Sequence, residues 1–280
     1  MELGVFGLNA KAGIGPVQTA RLARLAEELG YRSWWVGEHV VLPSPRVRPS
    51  PMEPTDPILD PLVHLAYVAA VTERLELGTG VVILPQRNPL VLAKQVASLD
   101  VLSGGRLLLG IGAGYLQPEL AALGVGLAER GARTDEYLAA MSALWTQPAP
   151  GFHGRYVSFD GVDAHPRPVR PDGPRIVIGG HSPAAYRRAV TRGHGWYGFG
   201  VSPDDLSTHL GGLRQAAAEH DRPARLGRLE ITVTPVKPVD ADTARRYADL
   251  GVDRLVVYPL PLDHLDDITT FLHRHAELPL

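Results

Sequence analysis

Four short clusters hold the residues of this chain best suited to chemistry. Gly37-Glu38-His39 sets a carboxylate and an imidazole side by side directly after an apolar run. An imidazole titrates near neutral pH, so His39 can move a proton or donate a hydrogen bond to a ligand; the other reading is a histidine that orders its loop through Glu38. Gly78-Thr79-Gly80-Val81 is followed by Arg87-Asn88-Pro89. Gly80 allows backbone to approach a flat ligand or another backbone closely. Arg87 reads first as half of an ion pair that fixes the loop and second as an anion ligand. Gly110-Ile111-Gly112-Ala113-Gly114-Tyr115 strips side chains from a third site. Gly179-Gly180-His181-Ser182-Pro183 leads a glycine pair into a helix start, whose free N–H groups make a ready phosphate site; the plain alternative is an ordinary capped helix. His194 and Trp196 read as core.

Other chemistries lack their residues. With 0 cysteines, thiolate metal sites, cysteine nucleophiles and disulfides are excluded. The 11 histidines are scattered, and the close pair His273 and His275 points to different faces of one helix. Neither an H-E-x-x-H pair nor a G-x-S-x-G elbow occurs, which disfavours metal hydrolase and serine hydrolase chemistry. A formal net charge of -2 offers no basic excess for a phosphate backbone, so nucleic acid is not an expected partner. No apolar run reaches the ~20 residues of a membrane span. The opening MELGVFGLNAKAG carries Glu2 and reads as a strand rather than a leader, so the expected location is the cytoplasm.

The elements that must position these clusters alternate along the chain. Strands are predicted at Leu3–Leu8, Ser33–Val36, Leu75–Ile83, Arg106–Ile111, Arg175–Ile178, Trp196–Val201, Arg228–Val236 and Arg254–Tyr258. Helices are predicted after them at Pro16–Leu29, within 57–72 with Asp60 as N-cap, at Pro89–Leu102, Ala132–Trp145, Pro183–Thr191, Pro203–His220, Asp242–Leu250 and Asp263–Ala276. Residues 112–131 read as a long connection, and 147–174 as a Pro- and Gly-rich one with a small hairpin near Tyr156–Phe159. Strand–helix repeated eight times predicts a parallel (β/α)₈ barrel in one domain, residues 1–280. An open doubly wound sheet wants a Gly-rich fingerprint after its first strand, which Gly4, Gly7, Gly13 and Gly15 do not match. In a barrel, function sits where strands end, and all four clusters follow strands.

The stretches AEELGYRSWWVGEHVVLP, TERLELGTGVVILPQRNPLVLAKQVASLDVLSGGRLLLGIGAGY, GARTDEYLAAMSALW and PRIVIGGHSPAAYRRAVTRGHGW together resemble the bacterial luciferase-like monooxygenase superfamily, over nearly the whole chain. The nearest likeness is to its branch of oxidoreductases dependent on the deazaflavin coenzyme F420. The resemblance implies a flavin-type ring at the barrel mouth, with His39 beside it as the catalytic residue and Glu38 adjoining. It implies a cis peptide between Gly80 and Val81 behind the ring, and a cofactor tail lined by Gly112, Ala113, Gly114 and Tyr115 and by Gly179, Gly180, His181 and Ser182. It also implies a small organic substrate and a homodimer. FMN is the alternative cofactor, with a reductase partner supplying it reduced for oxygen activation. A flavin-binding protein without turnover stands as a third reading. Where the sugar-phosphate dehydrogenases of the branch carry a glutamate after the fourth-strand glycines, this chain carries Tyr115. Lys11, Lys94 and Lys237 are far apart in sequence, so a sugar phosphate is disfavoured. Substrate walls are expected from 43–57, 112–131 and 147–170.

Overall fold

A computed structural model describes residues 1–280. Eight strands form a closed parallel ring: β1 (Glu2–Phe6), β2 (Ser33–Val36), β3 (Glu76–Thr79), β4 (Leu107–Gly112), β5 (Arg175–Gly179), β6 (Gly195–Phe199), β7 (Glu230–Thr234) and β8 (Arg254–Val257). Each pairs with its neighbour in sequence, and β1 closes the ring on β8 with Val5 opposite Val257. Helices α1 (Pro16–Glu28), α2 (Pro61–Val71) and α3 (Pro89–Leu102) follow the first three strands. The fourth connection holds α4 (Gln117–Ala122) and α5 (Arg130–Thr146). Then come α6 (Pro183–Arg192), α7 (Pro203–Glu219), α8 (Ala241–Asp249) and α9 (Leu265–Ala276). The result is the predicted (β/α)₈ barrel in one domain.

Strand alternation divides the apolar residues into two layers. Phe6, Trp35, Leu108, Val177, Tyr197 and Val256 fill the interior of the barrel. The larger set lies between the strands and the helices. The neighbours Trp34 and Trp35 show the rule in one dipeptide. Trp34 points outward, and its indole N–H donates to Nε2 of His64 on α2 at 3.2 Å. Trp35 points inward and stacks on Tyr197 at 5.2 Å. Gly78 on β3 makes room for it, since a Cβ there would lie 2.3 Å from the indole.

Helix starts follow the sequence signals. Asp60 accepts from the N–H groups of Leu62 and Val63 ahead of Pro61, and Asn88 accepts from those of Leu90 and Val91 ahead of Pro89. Two predicted elements differ. The third strand stops at Thr79 rather than running to Ile83, because the Gly80–Val81 peptide is cis; Val82–Ile83 resumes as a short piece paired with Ile111 and Gly112. Residues 112–131 are not a plain connection, because Leu116 and Leu120 at one-turn spacing bury against the barrel rim and fold α4 between them. The small hairpin is Phe152–His153 paired with Ser158–Phe159.

Candidate active site

Because the strands are parallel, their C-terminal ends meet at one face, and there they enclose a cavity of about 530 Å³. That volume suits a small organic molecule or cofactor, whose pockets run from about 300 to 1,000 Å³. Every site residue predicted from the sequence lines this cavity: Glu38 and His39, Gly80 and Val81, Gly112 to Tyr115, and Gly179 to Ser182. They come from the ends of β2, β3, β4 and β5.

Glycine shapes one wall. A Cβ on Gly110 would stand 1.7 Å from the Thr79 carbonyl oxygen, and on Gly112 or Gly179 it would stand 2.6 or 2.8 Å from the methyls of Val81. The three strand ends therefore close on Val81 only because they carry no side chains there. Next to it, from Phe6 onward, the lining is aromatic. Phe6, from β1, lies 5.2 Å from Phe199 at the end of β6 and 4.9 Å from Tyr258 after β8. Met52 and Ile58, from the 43–60 loop, line the cavity too.

Glu38 and His39 leave β2 in different directions, and their roles separate. Glu38 is buried, with Oε1 accepting from Arg87 Nε at 2.6 Å and Oε2 from the Ile83 N–H at 2.5 Å. Arg87 also bonds Asp60, the N-cap of α2, at 2.6 Å. Burial pushes the Glu38 carboxyl up, and the Arg87 charge opposes that push. Arg87 is thus the loop-fixing half of an ion pair. Glu38 lines the cavity with its oxygens already engaged.

His39 is not ordered by Glu38. Its Nδ1 lies 2.8 Å from Oε2 of Glu119, on α4. The other oxygen of Glu119 accepts the Val40 N–H at 2.6 Å. Tyr115 meets the imidazole edge-on, 6.3 Å between centroids, and is half-exposed. Burial and the nearby Glu119 charge raise the pKa of its phenol. The sequence reading missed Glu119, as it missed the helix that carries it. Asn9 was missed as well: its side-chain amide donates to the Gly37 and Leu59 carbonyls, both at 2.9 Å, tying the β2 loop to the 43–60 loop.

At the other end of the cavity, Ser182 caps α6 by accepting the Ala185 N–H at 3.3 Å, with Gly180 before it at φ +119°. Tyr186 donates to the His181 carbonyl at 3.1 Å. Burial lowers the pKa of the His181 imidazole, and the neighbouring His209 adds to the effect. Two arginines reach this region. Arg188 is paired with Asp135 at 2.7 Å. Arg130 is held by backbone carbonyls, Gly114 at 3.1 Å and Leu127, so its positive charge faces the cavity uncompensated by an acid. His194 sits away from the cavity, with Nδ1 accepting the Ile176 N–H at 3.0 Å.

Comparison with known proteins agrees with this architecture. The family model described as luciferase-like monooxygenase matches residues 1–268. An uncharacterized protein of Mycobacterium tuberculosis is 34% identical over 288 aligned residues, covering 99% of this chain and 98% of that protein. Among solved structures, the monooxygenase RslO1 from Streptomyces bottropensis superposes with a TM-score of 0.79 at 23% identity, over 99% of this chain and 98% of that one. An F420-dependent secondary alcohol dehydrogenase, solved with an F420-acetone adduct, also gives a TM-score of 0.79, at 16% identity over 97% of each chain. At these identities the two structures speak for the fold.

Proposed function

From the premise that this chain belongs to the luciferase-like monooxygenase family, we propose that it is an oxidoreductase using the deazaflavin coenzyme F420 on a small organic substrate. The observation that carries the reading is His39 standing at a cavity lined by glycines and by aromatic rings. When bound, the deazaflavin supplies a ring carbon that exchanges a hydride with the substrate.

The residues present fit such a group. The β3–β5 wall is bare where a flat ring needs backbone. In the first turn of α6 Ser182 takes the N–H groups of Ala185 and Tyr186 and Pro183 has none, which leaves the Ala184 N–H and the helix dipole to meet an anionic tail, and Arg130 brings a positive charge to the same end. Phe6, Phe199 and Tyr258 would give an uncharged substrate an apolar surface. His39 provides a polar contact at the junction of ring and substrate. We extend the proposal to a cytoplasmic homodimer. No helix is long and apolar enough to cross a membrane.

The second reading is a monooxygenase working on reduced FMN from a reductase partner. The match to the family model described as luciferase-like monooxygenase favours it. Side-by-side titrations of the purified protein with F420 and FMN separate the two. Tighter binding of F420 is the expected result. Micromolar FMN binding with no detectable F420 binding reverses the assignment, and binding of neither overturns both.

A further inference from the structure

We infer that Glu119 is a positioning residue that locks His39 into the tautomer with the proton on Nδ1, so that Nε2 faces the cavity as a proton acceptor. The geometry is specific. Glu119 is buried, and each oxygen of its carboxylate faces a different side. Oε1 faces fixed donors, the Val40 N–H at 2.6 Å and more distantly the Gln86 amide at 3.5 Å. Oε2 faces Nδ1 of His39 at 2.8 Å. A carboxylate has no proton to give, so at that distance Nδ1 must carry one. In a neutral imidazole the second nitrogen is then a lone-pair acceptor. Nε2 has no hydrogen bond to the protein, and the side chain lines the cavity.

The consequence is directional. A neutral His39 cannot donate a hydrogen bond from Nε2; it can only accept one. When a substrate O–H gives its proton to Nε2, the O–H bond breaks, an N–H bond forms, and His39 becomes an imidazolium. Glu119 then offsets that charge through the bond it already makes. In the serine-protease triad a buried carboxylate plays the same part toward its histidine, holding tautomer and orientation without taking the proton. Here the carboxylate comes from a short helix in the fourth connection, and its second oxygen holds the backbone of the residue next to His39. One side chain therefore fixes both the position of the β2 loop and the protonation pattern of the imidazole.

Glu119→Gln tests this, because the amide cannot satisfy both sides unless the histidine changes. The Val40 N–H is a donor in every state, so it takes the amide oxygen. The amide NH₂ then meets Nδ1, which must give up its proton and become an acceptor. Long-range ¹H–¹⁵N correlation spectra of ¹⁵N-histidine-labelled protein, recorded without cofactor at a pH where His39 is neutral, report the tautomer directly. The wild type is expected to show Nδ1–H at His39, and Glu119→Gln to show Nε2–H with its melting temperature little changed. Nε2–H in the wild type, or the same tautomer in both proteins, overturns the inference.

A turnover measurement forms the second arm and rests on the oxidoreductase reading. The corresponding carboxylate-to-amide exchange in the protease triad leaves the geometry intact and costs about 10⁴ in kcat. Here kcat should fall by about 10²–10⁴, the usual worth of a positioned proton acceptor, with cofactor affinity within twofold of the wild type. A tautomer that switches while kcat stays normal refutes the proton-acceptor role. The spectra stand whether or not F420 is the cofactor, so failure of that reading and failure of this one are told apart.

Discussion

The Glu38 carboxylate and the Arg87 guanidinium join the end of β2 to the loop that follows the Gly80–Val81 peptide. Through Asp60, the same guanidinium reaches the start of α2. One cation thus ties both ends of the β2–α2 connection to the β3–α3 connection at the mouth of the barrel. The pair is more than a surface ornament, because the side chain of Glu38 is only 1% exposed.

Arg87→Met should therefore be costly. The aliphatic part of the side chain is kept, but a buried carboxylate is left without its counter-charge. Removing one partner of such a pair typically costs about 3–5 kcal/mol. Without Arg87 the burial effect on Glu38 is opposed only by the Ile83 N–H, so its carboxyl should be pushed further up. Urea unfolding at neutral pH is the direct measurement. A loss of under about 1 kcal/mol would mean that Glu38 finds other support.

His39→Ala makes the opposite forecast. The imidazole is bound to the protein at one atom, and the loop keeps its other anchors in Asn9, Glu38 and Arg87. Turnover should fall by about 10²–10⁴ while the protein stays folded. A lower melting temperature with normal specific activity would make His39 a structural residue. Both quantities should be read on one preparation.

Much of this was legible before the structure. Alternating strand and helix patterns placed all eight barrel strands to within a few residues, because strand burial and proline-capped helix starts are local properties. The Trp34-Trp35 dipeptide could be assigned to a strand, yet its division into one inward and one outward ring needs the register of β2 against β3. The four site clusters were readable because a barrel puts function at strand ends. Glu119 was not. It is 80 residues from His39, on a helix of six residues, where a lone glutamate looks like part of a solvated face. The signal that could have found it is the Leu116 and Leu120 pair at one-turn spacing, which marks a packed helix and puts Glu119 beside its buried edge. The end of β3 escaped the residue pattern because Gly80-Val81-Val82-Ile83 has the composition of a strand; the family resemblance alone pointed to the cis Gly80–Val81 peptide that the structure has.

Gly110→Ala should be among the more damaging substitutions in the barrel. Its Cβ would stand 1.7 Å from a backbone oxygen, that of Thr79, which has no rotamer to escape into. Gly179→Ala meets only a methyl of Val81, at 2.8 Å, which can turn aside. Overpacking costs about 1–3 kcal/mol and sometimes more, so Gly110→Ala is expected at or above the top of that range and Gly179→Ala near the bottom. Chemical denaturation of the two variants in parallel checks the order. Equal stabilities would mean that the β3–β4 seam yields.

Acid should weaken the fold through two buried histidines. Nε2 of His64 accepts the Trp34 indole N–H, and Nδ1 of His194 accepts the Ile176 N–H. A proton added at either acceptor would point at a donor already there. Burial pushes both groups down to about 4, with the Arg170 charge adding to the effect at His194. In the unfolded chain an imidazole titrates near ~6.5. Between those values the unfolded chain binds more protons than the folded one, so stability falls as pH falls. The contribution of each group is whole above ~6.5, shrinks on the way down, and is lost as pH passes through about 4. Melting temperatures at about pH 8, 6 and 5, which span roughly that window, should drop steadily in the wild type. In His64→Gln an amide oxygen can take the indole N–H and has no proton to gain, so the drop should be shallower even if the starting stability is lower. Parallel curves for the two proteins would show that His64 is not one of the groups that titrates on unfolding.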